Sequence, residues 1–264
     1  MPQNVPDFLT AFREETAANA ALFASVHDWH APTLFKAWTP WDILAHLHIW
    51  NVAALESLTA PERFQAFLAE ALPVVAEHGH QHFQRDRMAG REGPELLAQW
   101  QATVTDMLTA FATVDPETRV AWAGPPMSAA SSLVARQMEH WAHTQAVHDL
   151  LGRPRENSDR LWHIADLGVR TYSFSHRIRG QEPPRPKPYV RLTAPSGAVW
   201  EWNDPQDDNC VEGSAEGFAQ TVTQCRNVLD TDVVCVGGVA ESWMQNAQCF
   251  AGAAEMPPRV GERN

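Results

Sequence analysis

The chain has 264 residues, enough for one large domain or two modest ones, and 44% hydrophobic residues, enough for a substantial core. A formal net charge of −12, with no basic run and no Lys/Arg stripe, argues against a nucleic-acid partner. No stretch reaches the roughly 18 apolar residues that span a bilayer, and the opening "MPQNVPDFLTAF" lacks the basic and apolar regions of a secretion signal, so no membrane partner is expected.

Residues 5–27 place Phe8, Ala11, Phe12, Leu22, Phe23 and Val26 on one helical face. Thr39 and Pro40 open a second helix, with Thr39 as N-cap, Pro40 in the first turn and Asp42 near the positive end of the dipole. It runs to about Leu58, where Thr59 and Pro61 interrupt it, and residues 59–93 read as a long crossover. A third helix spans 94–113, with Leu96, Leu97, Trp100, Val104, Leu108 and Phe111 on one side. "GPPM" at 124–127 is a rigid turn, after which Ser128 caps a fourth helix ending at Leu151 before Gly152 and Pro154. Four helices with one long interruption predict an up-and-down bundle with a crossover.

The polar segment "GRPRENSDR" at 152–160 reads as a linker, which divides the chain into a helical bundle at 1–155 and a second domain at 156–264. Residues 161–179 form one more amphipathic helix. "YVRLTAP" and "AVWEWND" alternate and meet at Ser196-Gly197, a hairpin signature, and "CVEGSA" adds a short strand. A helix at 215–229, a strand at 232–236 and a helix at 238–251 complete a small α+β domain. Cys210, Cys225, Cys235 and Cys249 are dispersed without a C-x-x-C spacing, which fits reduced thiols and a cytoplasmic location.

Twelve histidines are many for this length. In "MEHWAHTQAVHDLLG" at 138–152, Glu139 and His143 are four apart and share a helical face, while His148 points elsewhere. His140, three before His143, is the rival partner. On the second helix His46 and His48 lie about 200° apart, so they cannot enter one site together. Spacing does not rank the two firmly; His46 is preferred because Trp50 and the small Ala53 share its face. His46, Glu139 and His143 on facing helices would suit Zn²⁺ with an open fourth position, and also Fe²⁺ or Ni²⁺. The alternative is a satisfied polar core, with Glu139 paired to Arg136 and His46 bonded to a backbone carbonyl. "EHGHQHF" at 77–83, with His78, His80 and His82 alternating, reads as a solvated loop of the crossover that could bind metal adventitiously. His27, His30, His163 and His176 have no partner by spacing.

"WTPWDILAHLHIW", "GPPMSA", "MEHWAHTQAVHDLLG", "VRLTAPSGAVWEWND", "TVTQCRNVLDTD" and "WMQNAQCFAG" together resemble an actinobacterial group of metal-binding proteins related to mycothiol-dependent maleylpyruvate isomerases, within the DinB-like superfamily. The resemblance runs from about residue 8 to 253. It implies a four-helix DinB-like bundle holding a divalent metal, followed by a small α+β domain similar to sterol-carrier proteins. It carries the metal ligands onto His46, Glu139 and His143. The chain departs from the family pattern at Asn51 and Ala146, where acidic residues are common, and at Cys225 and Asn227, where basic residues are common and Arg226 alone remains.

The resemblance further implies an enzyme in which a bound metal, zinc before nickel or iron, activates a thiol such as mycothiol, or water. The chemistry would be isomerisation, thiol transfer or addition–elimination on a small substrate. Arg226 is the expected grip on a substrate carboxylate, because a guanidinium binds it with two prongs. Trp50 and Trp141 are expected at the pocket wall. The competing expectation is a metal-binding protein without catalysis, or a degenerate binding module in a biosynthetic pathway.

Overall fold

The computed structural model describes residue 2 and residues 4–263. The chain forms two compact units: Asp7–Arg153, and Pro154 onward together with the residues before Asp7.

In the first unit three of the long helices begin on a side chain that satisfies orphan N–H groups. Asp7 accepts from Leu9 and Thr10 at the head of α1 (Phe8–Ala24). Thr39 and Asp42 form a reciprocal capping box on α2 (Pro40–Thr59), with Pro40 in the first turn. α4 runs Gly93–Ala112. Ser128 caps α5 (Ala129–Leu151), which ends on the left-handed Gly152. α1 packs on α4 and α5, and α2 packs on the same two, which closes a four-helix ring. Two short strands, β1 (Arg119–Val120) and β2 (Met127–Ser128), pair ahead of α5.

The crossover expectation for 59–93 needs correction. Pro61–Arg87 is a helix, α3, laid along α2. Phe64, Phe67, Leu68 and Ala71 recur at helical spacing and are buried. Beyond them Pro73 and Gly79 interrupt the pattern, and Gly79 sits at φ 82°, ψ 166°, a kink within the helix. His78, His80 and His82 therefore sit on a kinked helix and not on a loop.

The second unit is α+β. The single helix expected at 161–179 is two, α6 (Trp162–Arg170) and α7 (Tyr172–Arg177), parted at Thr171, whose hydroxyl donates back to the carbonyls of Leu167 and Gly168. β3 (Tyr189–Thr193) and β4 (Val199–Trp202) form the expected antiparallel hairpin. β5 (Cys210–Ser214) runs parallel to β3, and β6 (Val234–Val236) antiparallel to β5, giving the sheet order β4-β3-β5-β6. α8 (Ala215–Val222) stops short of the expected 229, because Gln224 turns left-handed at φ 57°. α9 (Gly238–Asn246) closes the regular structure. Among the described residues no disulfide forms and no helix is long and apolar enough to cross a membrane.

Candidate metal centre

α2 and α5 face each other in the ring and bring three side chains together. Nε2 of His46 lies 3.5 Å from Oε2 of Glu139, and Nε2 of His143 lies 3.2 Å from the same oxygen. Around a tetrahedral ion with bonds of about 2.0–2.1 Å, neighbouring donor atoms stand about 3.3–3.4 Å apart. The observed spacings bracket that value. All three donor atoms lie within 4.8 Å of one another, and among the described residues they are the group of three or more His, Cys, Asp or Glu so arranged. Two imidazoles and one carboxylate are also the donor chemistry of open divalent sites.

The charge states suit ligation. Burial pushes the His46 imidazole down to about 3, against the opposing pull of Glu139, so its ring is neutral at physiological pH. Burial works to raise the Glu139 carboxyl, but hydrogen bonds from His143 and His46 and the charge of Arg136 hold it well below the usual carboxylate range. The Nδ1 atoms of His46 and His143 are buried and make no hydrogen bond to the described chain. Ligating histidines are usually oriented by such a bond. Here aromatic packing orients them. Trp38 stacks on His143 with 4° between the planes, Phe35 meets His143 edge-on at 5.1 Å, and Trp38 and Trp50 flank His46 at 5.3 and 6.3 Å.

Phe35 and Trp38 are not singled out by the sequence, and His80 is read there only as part of a solvated loop. Phe35 and Trp38 belong to an irregular loop closed by hydrogen bonds from Thr33 N–H to the Trp38 carbonyl and from Trp38 N–H to the Phe35 carbonyl. The signal available was the aromatic pair in "LFKAW" just ahead of the α2 cap. His80 reaches in from α3, its ring 5.3 Å from His46 and 5.9 Å from Trp50. A cleft of about 290 Å³ opens beside the head of α2, lined by residues including His30, Trp41, Asp42, Arg85 and Arg91; none of the three converging side chains lines it.

The comparisons with known proteins bear on the family and the fold. Residues 12–148 match the family model described as the mycothiol maleylpyruvate isomerase N-terminal domain. The chain belongs to that family. Two relatives in Mycobacterium tuberculosis, the uncharacterised proteins MT0041 (strain CDC 1551 / Oshkosh) and Rv0036c (strain ATCC 25618 / H37Rv), are each 36% identical over 256 residues, covering 96% of this chain and 97% of theirs. The crystal structure of the mycothiol-dependent maleylpyruvate isomerase superposes with a TM-score of 0.54 at 17% identity, over 81% of this chain and 86% of that one. A second structure, of a histidine-to-alanine mutant of that enzyme, matches equally. This likeness establishes the shared fold.

Within this maleylpyruvate isomerase family fold, the remaining sequence candidates are sorted by position. His48 is buried toward α4, with Nδ1 3.5 Å from the Thr103 hydroxyl, and burial pushes it down to about 4. His148 meets the Arg153 carbonyl at 3.1 Å. His140 belongs to a different network. Its Nε2 accepts from Trp100 Nε1 at 3.1 Å and faces Asn51 Nδ2 at 3.2 Å, while its Nδ1 lies 2.6 Å from the Arg136 carbonyl. Arg136, itself buried, donates to Asn51 Oδ1 at 3.0 Å. Asn51 thus accepts from one partner and donates to the other, which an acidic residue at this position could not do. Ala146, the other departure on α5, packs in the apolar core.

Trp50 lies at the trio, whereas Trp141 is buried two residues from Glu139 and so about 200° around α5. Arg226 lies in the second unit, just after α8, and donates to the Cys225 carbonyl at 3.2 Å. Burial raises the Cys225 thiol, while Thr223 and the charges of Arg155, Arg226 and Arg263 act to lower it, so three guanidiniums gather around this position.

Proposed function

We propose that His46, Glu139 and His143 hold one divalent ion and that the protein is a metal-dependent, thiol-using enzyme of the isomerase type, acting on a small carboxylate-bearing molecule. The observation that carries this reading is the convergence of two imidazole nitrogens on one carboxylate oxygen at tetrahedral-edge spacing. Zn²⁺ suits this donor set best, with Ni²⁺ or Fe²⁺ as alternatives. A bound ion supplies Lewis acidity, which lowers the pKa of a thiol or water toward neutrality. The chain's own residues set the stage for it. Glu139 contributes the negative charge, His46 and His143 contribute imidazole nitrogens, and Phe35, Trp38 and Trp50 pack against the rings.

Family membership supports mycothiol as the thiol and a cis-configured keto acid such as maleylpyruvate as the first substrate to test. Arg226, within the cluster it forms with Arg155 and Arg263, takes the substrate carboxylate. Cys225 and Asn227 beside it remove basic groups common in the family, which favours a substrate with fewer negative charges than the family's.

Elemental analysis of the purified protein together with its native mass is the direct test. One divalent ion per chain is expected, lost in His46→Ala and Glu139→Gln and kept in His48→Ala. The metal-loaded chain is then assayed for conversion of maleylpyruvate with and without mycothiol. Arg226→Lys should retain metal and raise KM, because lysine cannot make the two-pronged contact. Full metal occupancy in His46→Ala overturns the site, and full metal loading with no thiol-dependent reaction on any cis keto acid favours the non-catalytic metal-binding reading.

A further inference from the structure

One turn before the carboxylate of the trio, α5 carries a buried cation. Arg136 lies three residues ahead of Glu139, and residues three apart on a helix are neighbours, with Cβ atoms about 5–6 Å apart. Burial pushes Arg136 down to about 10, which still leaves it charged at neutral pH. Its guanidinium reaches across to α2, where Nε donates to Asn51 Oδ1 at 3.0 Å and Nη2 to the Leu47 carbonyl at 3.4 Å. Leu47 directly follows His46, so this side chain ties the two helices of the trio together beside it.

Both acceptors are neutral, whereas a buried charge is ordinarily paired with an opposite one. The titratable groups beside Arg136 are His140 and Glu139, on its own helix. Burial, together with the charge of Arg136, keeps His140 neutral. Against burial, the charge of Glu139 acts to raise Arg136. On Glu139 burial acts upward, the hydrogen bonds from His143 and His46 act downward, and the charge of Arg136 adds to them. The carboxylate that feels Arg136 is therefore a member of the trio. A divalent ion held by one carboxylate leaves a net positive charge, and Arg136 adds to it. That charge opposes the ion and favours an anion at the open position. Unit charges about 10 Å apart at an effective dielectric constant of about 20 shift one another's pKa by about one unit.

We propose that Arg136 is a positioning residue whose buried charge, met on α2 by neutral partners, weakens the hold on the ion and raises the acidity of a thiol at the open position. The thiol then enters as its thiolate and gives its proton to solvent. The proposal rests on the trio being a divalent site, and it names the group that sets the charge state of what binds there. A mechanical clamp between α2 and α5 predicts the opposite sign. Loosening a clamp weakens ion binding, whereas removing a buried positive charge strengthens it.

The test loads the metal-free full chain with Co²⁺ and measures affinity by competition with a chromophoric chelator. The loaded chain is then titrated with 2-mercaptoethanol across pH, followed by the sulfur-to-cobalt charge-transfer absorption. Arg136→Gln removes the charge and leaves a side-chain amide in its place. It should bind Co²⁺ about tenfold more tightly, and thiolate ligation should need a pH about one unit higher. Arg136→Lys should keep the wild-type pH midpoint. Asn51→Asp, compared at a pH where nitrogen-15 NMR shows His140 neutral, should move both readings in the same direction as Arg136→Gln, and it decides the matter if that variant does not fold. Weaker or unchanged Co²⁺ affinity in the neutralised variants, with an unmoved pH midpoint, overturns the proposal and leaves the trio standing. Uptake of Co²⁺ by the wild type with no thiolate band at any pH also overturns it. A wild-type chain that takes up no Co²⁺ overturns the proposed function and this proposal together.

Discussion

The indole of Trp38 lies parallel to the imidazole of His143, 5.6 Å centre to centre with 4° between the planes, and it also meets His46 at 5.3 Å. One loop side chain therefore packs on the rings of both histidines of the proposed site, which come from different helices. Since neither ring has a hydrogen bond from Nδ1 to the described chain, stacking supplies the orientation that a carboxylate or carbonyl supplies in most metal sites. Trp38→Ala should lower divalent affinity about tenfold at unchanged stoichiometry, as loss of an orienting partner does. Trp38→Phe should recover most of it. Competition with a chromophoric chelator measures both, and equal affinity in Trp38→Ala would show that the stack is incidental to the site.

The loop that presents Trp38 is strained. Lys36 and Ala37 are both left-handed, at φ 50° and 55°, although neither is glycine. A left-handed residue with a Cβ costs about 1–2 kcal/mol relative to the ordinary helical region, and glycine avoids that cost at some expense in unfolded-state entropy. Ala37 is exposed, so its methyl group contributes little packing. Ala37→Gly should stabilise the metal-free chain by up to about 1 kcal/mol, read as a rise in the midpoint of urea unfolding. A fall in the midpoint would mean that the fold selects this conformation at no net cost.

How much of this was legible in the sequence depends on the element. Glu139 and His143 share a face by spacing, but spacing left His140 as a rival partner for His143; only its place against Trp100 and Asn51 removes it. His46 could not be separated firmly from His48, since both helix faces are buried: His46 toward α5 and His48 toward α4. Only the ring order of the bundle decides between them. The caps at Thr39, Ser128 and Gly152 were readable because capping is local chemistry. α3 was hidden because Pro73 and Gly79 break the apolar repeat that begins cleanly at Phe64. Phe35 and Trp38 lie in a loop, where no periodicity reports direction, and the left-handed pair between them has no glycine to announce it.

The network around His140 makes a spectroscopic prediction. With Trp100 donating to Nε2 and Asn51 Nδ2 directed at it, that nitrogen is an acceptor, so the proton sits on Nδ1 and is donated to the Arg136 carbonyl. Burial pushes this imidazole down to about 3, which agrees with a neutral ring. Nitrogen-15 NMR should find His140 as the neutral Nδ1–H tautomer at neutral pH. In Asn51→Asp the carboxylate can still accept from Arg136 but offers His140 no donor. The ring should then shift toward the Nε2–H or protonated form, with a loss of stability from the disturbed buried network. Unchanged His140 resonances in Asn51→Asp would show that Trp100 alone holds the tautomer.

The last prediction concerns the pair that ties α3 to the head of α2. Asp42 is buried, and it accepts from Arg85 Nε at 2.7 Å and Nη2 at 2.8 Å, from Gln81 at 3.0 Å, and from the backbone N–H and hydroxyl of Thr39 at 3.0 Å. Burial raises its carboxyl, but the Arg85, Thr39 and Gln81 hydrogen bonds outweigh it and leave the pKa below its usual 3.8. A carboxyl depressed in the folded state contributes stability that is fully present above the unfolded pKa and is lost as pH falls through the folded value. Asp42→Asn should therefore destabilise the chain at neutral pH by about 1–2 kcal/mol, a figure kept modest because the Arg85 side chain is half-exposed and can return to water. The gap between wild type and variant should close as the pH falls below 3.8, since protonation removes the same charge from the wild type. Urea unfolding at neutral and acid pH measures it. A gap that persists undiminished in acid would place the contribution in the shape of the capping box rather than in the charge that Arg85 grips.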